Sequence, residues 1–361
     1  MLDKVVRSIA IDSYVNESNE NLLFLLLDNY GISKENPIDM LIWTHPDTDH
    51  CKGMCDVITK YADKKTIVIV TEGARKWTMF TECSKQIYNH ILSQYKKKNI
   101  QLSHANVSPL CYPPNKVYMY IRFGDDNEEE KDFYIEILTP FEDDATRQTE
   151  ANATFQNNDI SISFVVHFGD LQLYFGGDAE NAAIRRVEVE KYSNLQFIKI
   201  PHHGSKSSIV LPQIISEYYD YTKEEVEGYE NDDHANEAVS YYYDECSEDV
   251  ISNIDEPDET ASDIDDDVKN KPHILSVSTC FHIGSAHDPE DFVLNLYKSF
   301  SKKIYLTDYE KPRNNKYGIC KFEYDIKACE CRREECLGDA GVFYVHEKVR
   351  KMCDEYNDAV E

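Results

Sequence analysis

The densest chemistry in the sequence lies in THPDTDHCKG, Thr44 to Gly53, where His45, Asp47, Asp49 and His50 fall within six positions. Imidazole nitrogens and carboxylate oxygens are the donors that hold a divalent ion able to activate water. The stretch leaves the apolar run Met40-Leu-Ile-Trp43, so these groups stand where a buried strand exits into a loop. A polar loop closed by an Asx turn would need neither the second imidazole nor the second carboxylate. Two further pieces follow. FGGDAE, Phe175 to Glu180, sets Asp178 behind two glycines at the end of a hairpin strand. KIPHHGSKSS, Lys199 to Ser208, sets His202 and His203 at the end of another apolar strand, before a Gly-Ser turn. A lone Gly-Asp is only a turn and a lone His is usually structural. Here each piece ends a predicted strand, which is where α/β sheets bind ligands.

The elements that must position these groups alternate. The pattern predicts a strand over 5–11, a helix over 21–30, a strand over 40–44, a helix over 52–61 and a strand over 66–70. Residues 72–117 read as helix and loop. Strands follow over 132–140, 160–168 and 171–175, the last two joined by Gly169-Asp170, a two-residue hairpin signal. A helix over 179–192, a strand ending at Pro201 and a helix from near Ser207 come next. After an acidic stretch the pattern resumes with the strand HILSVST, a helix over 289–301, and the strands KIYLTD and YGICKFEYD. A Cys-containing loop and an amphipathic helix, Val345 to Ala359, close the chain. Such alternation argues for a layered α/β fold.

Composition bounds the rest. The chain has 361 residues, 41% of them hydrophobic, enough for one large α/β domain with insertions or two modest ones. Its net charge of −29 excludes a broad basic face, so independent grip on duplex nucleic acid is not expected. The segment Asp220 to Lys269 holds 20 Asp or Glu against Lys223 and Lys269. It reads as an acidic insertion, either a solvated one between core elements or a lid that meets a protein partner. The eleven cysteines are scattered and odd in number, the N-terminal segment carries no apolar leader, and the apolar run 22–27 is too short to span a bilayer. These point to a soluble protein of the reducing cytoplasm with no membrane role. Cys329-x-Cys331-x₄-Cys336 would need Cys320 or His346 to complete a zinc site, and reduced thiols are the preferred reading. Cys51 and Cys55, one turn apart, read as core packing.

His45-Pro-Asp47-Thr-Asp49-His50, Asn158-Asp159-x-Ser161, Gly177-Asp178-Ala-Glu180 and His202-His203-Gly-Ser205 occur in that order. Together they resemble a metallo-β-lactamase-fold hydrolase, in the branch similar to the C-terminal domain of the competence protein ComEC. Ser278, His287 before Asp288-Pro289, and Thr307-Asp308 match its later pieces, so the resemblance runs from Ile9 to Tyr324 around the insertion. It implies a four-layer αββα sandwich over 1–325, with residues 326–361 as an appended loop and helix. It also implies one or two divalent metals, zinc or manganese, held by His45, Asp47, Asp49, His50 and Asp178, with Asp178 bridging. One of His202 or His203 would complete the site. Asp49 would orient the attacking water, His287 would contact substrate or leaving group, and Ser205, Lys206 and Asn158 would bind the substrate.

Two departures stand out. The chain begins at what reads as the family's second strand, without the first hairpin. Asp47 occupies a place that is often His, and no third-motif His stands between Gly53 and Asn158, since His90 and His104 read as structural. The implied function is hydrolysis by a metal-bound hydroxide, on a phosphodiester in a small molecule, cyclic nucleotide or single-stranded nucleic acid. The alternatives are another ester or amide hydrolase, and a non-catalytic module in a larger, defence-type assembly.

Overall fold

The structure, a computed structural model, describes residues 7–16, 19–71, 80–105, 111–123, 127–141, 157–226, 274–283, 286–308, 318–326 and 328–345. Four short runs form a wholly parallel sheet in the order β1 (Ile9–Ile11), β2 (Met40–Trp43), β3 (Ile67–Thr71) and β4 (Gln101–Ala105). Parallel neighbours require crossovers, supplied by α1 (Leu22–Asn29), by α2 (Thr48–Cys51) with α3 (Met54–Tyr61), and by α4 (Glu82–Lys96). Side chains alternate between two buried faces. Leu41, Trp43, Val68 and Val70 pack with Leu27, Val57, Tyr61 and Ile87 of the helices. Met40, Ile42 and Ile69 pack instead with Ile137, Phe164 and Val166 of a second sheet.

That second sheet has eight strands, in the order β16 (Gly341–Val345), β13 (Ser301–Leu306), β10 (Ile274–Ser278), β9 (Phe197–Lys199), β8 (Leu171–Phe175), β7 (Ser163–Phe168), β6 (Asn127–Thr139) and β5 (Cys111–Phe123). Pairing is parallel from β8 to β13 and antiparallel on either side. Tyr174, Ile198, Ile274 and Ile304 meet α5 (Asn181–Ile184), α6 (Val210–Val226) and α7 (Asp291–Tyr297) through Ile184, Leu211 and Leu294. The opposite face is twice as wide as the four-stranded sheet can cover. Its remaining half, Phe197, Leu275, Val277 and Tyr305, is closed by Phe322 and Tyr324 of the hairpin β14 (Ile319–Asp325) and β15 (Glu330–Leu337). β11 (Phe281–Ile283) and β12 (Ala286–Asp288) form a separate two-stranded antiparallel ladder.

The molecule is thus a mixed α/β protein, and most predicted elements fall within a few residues of their places. Three do not. Within residues 72–117, expected as helix and loop, 101–105 form strand β4 and 111–117 begin strand β5. The register of β5 on β6 shifts between Tyr112 and Val117, where Pro113 and Pro114 lack the N–H a ladder needs. The helix expected over 179–192 is only the turn Asn181–Ile184 and a 3₁₀ turn Val189–Tyr192. Val187 between the two turns and Tyr192 are buried in the core. The Cys-containing loop forms β15 and β16, the latter an antiparallel edge on β13 that includes Val345.

Residues 227–273, hence most of the acidic segment, and 346–361, hence the expected terminal helix, lie outside the described residues. Cys51 is buried and Cys55 packs against the helix-side core, and Cys51, Cys55, Cys83, Cys280, Cys320, Cys329, Cys331 and Cys336 are free thiols. Among the described residues, Cys329, Cys331 and Cys336 form no group able to hold a metal. No described helix is long and apolar enough to cross a membrane.

Candidate metal centre

Strands of both sheets end at one common edge, and the groups singled out by the sequence follow directly behind them. Asp12 follows β1, His45 to His50 follow β2, Asp178 follows β8, and His203 follows β9. All four residues of β2 are buried, so its exit is rigid. Thr44 ties that exit to its neighbour, its N–H and hydroxyl donating to Asp12 Oδ1 and Oδ2 at 2.8 and 2.7 Å. Gly177 has φ +52, and a Cβ there would meet Ile162 O and Ser161 Oγ at 2.6 Å. Only glycine lets the loop press this close, and Ser161 Oγ then accepts from the Asp178 N–H at 2.8 Å. His202 and His203 both occupy left-handed backbone, φ 45 and 53, which costs energy in a non-glycine residue. Ser278 holds the kink by donating to His203 O at 2.9 Å, and the Ser205 N–H does so at His202 O at 2.8 Å.

This backbone brings three imidazoles around one carboxylate. Asp178 Oδ2 lies 3.2 Å from His50 Nε2, 3.4 Å from His203 Nε2 and 3.8 Å from His45 Nε2. Asp49 Oδ2 is 3.3 Å from both His50 Nε2 and His203 Nε2, and Asp47 Oδ2 is 3.4 Å from His45 Nε2. The donor atoms of Asp49, His50, Asp178 and His203 all lie within 4.8 Å of one another. The far ring nitrogens explain the orientation. His203 Nδ1 faces Thr279 O, a pure acceptor, at 3.2 Å, and His50 Nδ1 faces Asp12 Oδ2 at 2.7 Å. His203 Nδ1 also lies 3.0 Å from Thr279 Oγ1, and a hydrogen on each Nδ1 would satisfy these oxygens and leave Nε2 directed inward, the arrangement that outer partners impose on metal-ligating histidine. His45 Nδ1 sits 3.1 Å from Thr44 Oγ1, a hydroxyl whose own hydrogen goes to Asp12. Two buried atoms at the centre, His45 Nε2 and Asp178 Oδ1, have no hydrogen-bond partner. Unsatisfied buried donors and acceptors are costly, and these are good metal ligands facing inward. The residues fit a divalent ion.

The charges point the same way. Burial opposes a charge on His50, yet Asp178 and Asp12 outweigh it and hold its pKa well above the ordinary value. His203 is raised likewise, burial being overcome by Asp178 and Asp49. Burial would raise Asp178, but His50 and His203 hold it well below the carboxylate range, and Asp49 is lowered by the same two rings against its own burial. Without metal, the neighbouring carboxylates favour a proton on each of these rings. Because those histidine pKa values are raised, metal must displace protons at neutral pH, and affinity should fall as pH drops. Zinc titrated calorimetrically at pH 7, in two buffers of different ionisation enthalpy, should release about one proton or more per ion. Zero release would mean that His50 and His203 are already neutral at pH 7 without metal, against the raised direction of their pKa values.

The remaining predicted residues lie elsewhere. His202, one of the two histidines left open by the sequence, turns away from the centre. Its Nδ1 faces Ser207 Oγ at 2.6 Å and Glu180 Oε1 at 3.3 Å, and Asn158 Nδ2 lies 3.3 Å from its Nε2. Asn158 itself donates to Glu180 Oε1 at 3.0 Å, so it braces this outer group. Ser205 begins the turn ahead of α6, and Lys206 is exposed, 3.8 Å from Glu290. His287 stands opposite His282 in the β11–β12 ladder, and its side chain lies outside the described residues. His90 and His104 do not join the donor group. Sequence reasoning missed Asp12 and Thr279. A carboxylate ending an apolar strand was a usable signal for Asp12, whereas nothing marks Thr279.

A cavity of about 390 Å³ opens beside Asp49, His50 and His203. The fold and this edge define a mixed α/β protein with a carboxylate- and imidazole-walled centre suited to a cation. No protein-family model matches the chain, and a comparison with curated proteins finds no match.

Proposed function

We propose that this protein is a metal-dependent hydrolase of the metallo-β-lactamase fold, similar to the C-terminal domain of ComEC, acting on a phosphodiester. The observation that carries the reading is the convergence of Asp49, His50, Asp178 and His203, with His45 Nε2 and Asp178 Oδ1 buried and unpartnered beside them. The helix-covered outer faces of the two sheets and the apolar core between them support a four-layer αββα sandwich. Asp49, His50, Asp178 and His203 would hold one ion. His45, Asp47 and Asp178 would hold a second, with Asp178 shared. The carboxylate share of this donor set makes manganese a competitor of zinc.

When bound, such an ion supplies an acidified water and a Lewis-acid contact for the substrate oxygen. The chain's own residues do the positioning. Asp12 and Thr279 hold the Nδ1 sides of His50 and His203, so that their Nε2 atoms face Asp49 and Asp178. Asp49, which lines the cavity, would orient a water and take its proton. The net charge of −29 supports a small or single-stranded substrate rather than independent duplex binding. Free described thiols accord with a reducing cytoplasm.

The test is metal analysis of the purified protein, followed by a panel of linear and cyclic phosphodiesters with and without a chelator. One or two bound ions and chelator-sensitive hydrolysis are expected. A protein that takes up no zinc or manganese and hydrolyses nothing would be a non-catalytic module instead.

A further inference from the structure

The cavity beside the centre is lined by Asp49, His50 and His203 and also by Tyr14, Leu22, Leu23 and Phe175. At about 390 Å³ it has the size of a small-molecule site. Among its described lining residues, Lys199 is the sole lysine or arginine. Lys199 ends β9, three residues before His202, and is half-buried. Its Nζ donates to Gly177 O at 3.3 Å, and among the described residues it enters no ion pair. One hydrogen bond leaves two of the three ammonium hydrogens unspent. Lys206, the lysine singled out by the sequence, lies outside this cavity with its ammonium beside Glu290. In a chain as acidic as this one, an anion entering the cavity is repelled by Asp12, Glu20 and Asp49; burial lowers the Lys199 pKa while Asp178, Asp12 and Asp49 favour its charged form, and its ammonium is placed to offset that repulsion.

We infer that Lys199 anchors a phosphate oxygen of the substrate, and that the substrate is a nucleotide-sized phosphoester whose flat apolar body fills the cavity. The inference rests on the hydrolase reading for the reaction, but binding tests it separately. Lysine binds phosphate as a point charge, and a hydrogen bond to a charged group is worth about one to two powers of ten in affinity.

Lys199→Met keeps the length of the chain and removes the charge. With the manganese-loaded protein, calorimetry against thymidine 5′-monophosphate should show affinity about tenfold or more below the parent's. Thymidine itself should bind parent and variant alike, with metal content and Tm unchanged, and Lys199→Arg should recover part of the loss. Leu22→Trp, which fills the apolar end, should weaken thymidine and its monophosphate together while leaving inorganic phosphate binding as it was. Monophosphate affinity equal to the parent's in Lys199→Met would overturn the inference. So would loss of metal and of both ligands together, which would make Lys199 a strut for the Gly177 carbonyl. A parent that binds the monophosphate but hydrolyses no phosphodiester would sink the hydrolase reading and leave the anchor standing. A parent that binds neither phosphate nor monophosphate would sink the anchor.

Discussion

Asp178→Asn should yield a folded protein that holds less metal than the parent and has lost most of its hydrolysis. Asparagine keeps the size and can still accept hydrogen bonds, but it removes the charge and one good ligand oxygen. Asp178 is the one carboxylate within 3.8 Å of all three inward-facing imidazoles, and its second oxygen is buried without a partner. Loss of a ligand or its support commonly costs ~10–100-fold in metal affinity or activity, and a shared ligand belongs at or beyond the upper end. The charge change also acts without metal. With Asp178 neutral, burial pushes the pKa values of His50 and His203 down, so the variant should take up fewer protons when metal-free. Metal content by mass spectrometry and turnover of a phosphodiester provide the check. Parental values for both would take Asp178 out of the centre.

The second large effect is on stability. Phe164→Ala should destabilise the protein by about 3–5 kcal/mol, because it deletes a large buried ring and leaves a cavity that the two sheets cannot close. Phe164 is fully buried in the core between the sheets and stacks on Phe175, ring centroids 5.3 Å apart. Leu25→Ala, at a half-exposed position on α1, should shift stability by no more than ~0.5 kcal/mol. Urea unfolding followed by far-UV circular dichroism measures both. A loss below about 1 kcal/mol for Phe164→Ala would mean that the two sheets do not depend on each other's apolar faces.

Much of the candidate site was legible because its signals are local. MLIW before THPDTDH, LQLYF before GGD and QFIKI before PHHG each announce a strand that stops at a cluster of donors. Apolar alternation and turn chemistry are written over a few residues, so they survive in a single sequence. The α/β class followed from the same alternation. Edge strand β5 was not legible, because its two prolines mask a run that pairs only by shifting register against β6.

The choice between His202 and His203 was likewise closed to sequence reasoning. Their chemistry is identical, and only the left-handed kink held by Ser278 turns one ring toward Asp178 and the other toward Glu180. Asp12 and Thr279 acquire their roles solely because ends of two different sheets meet at one edge. Sequence alone determined which groups end strands and what ions their chemistry suits. Which of them share a centre was decided by the packing of one sheet on the other, since that contact joins residues more than a hundred positions apart, and no local pattern encodes its register.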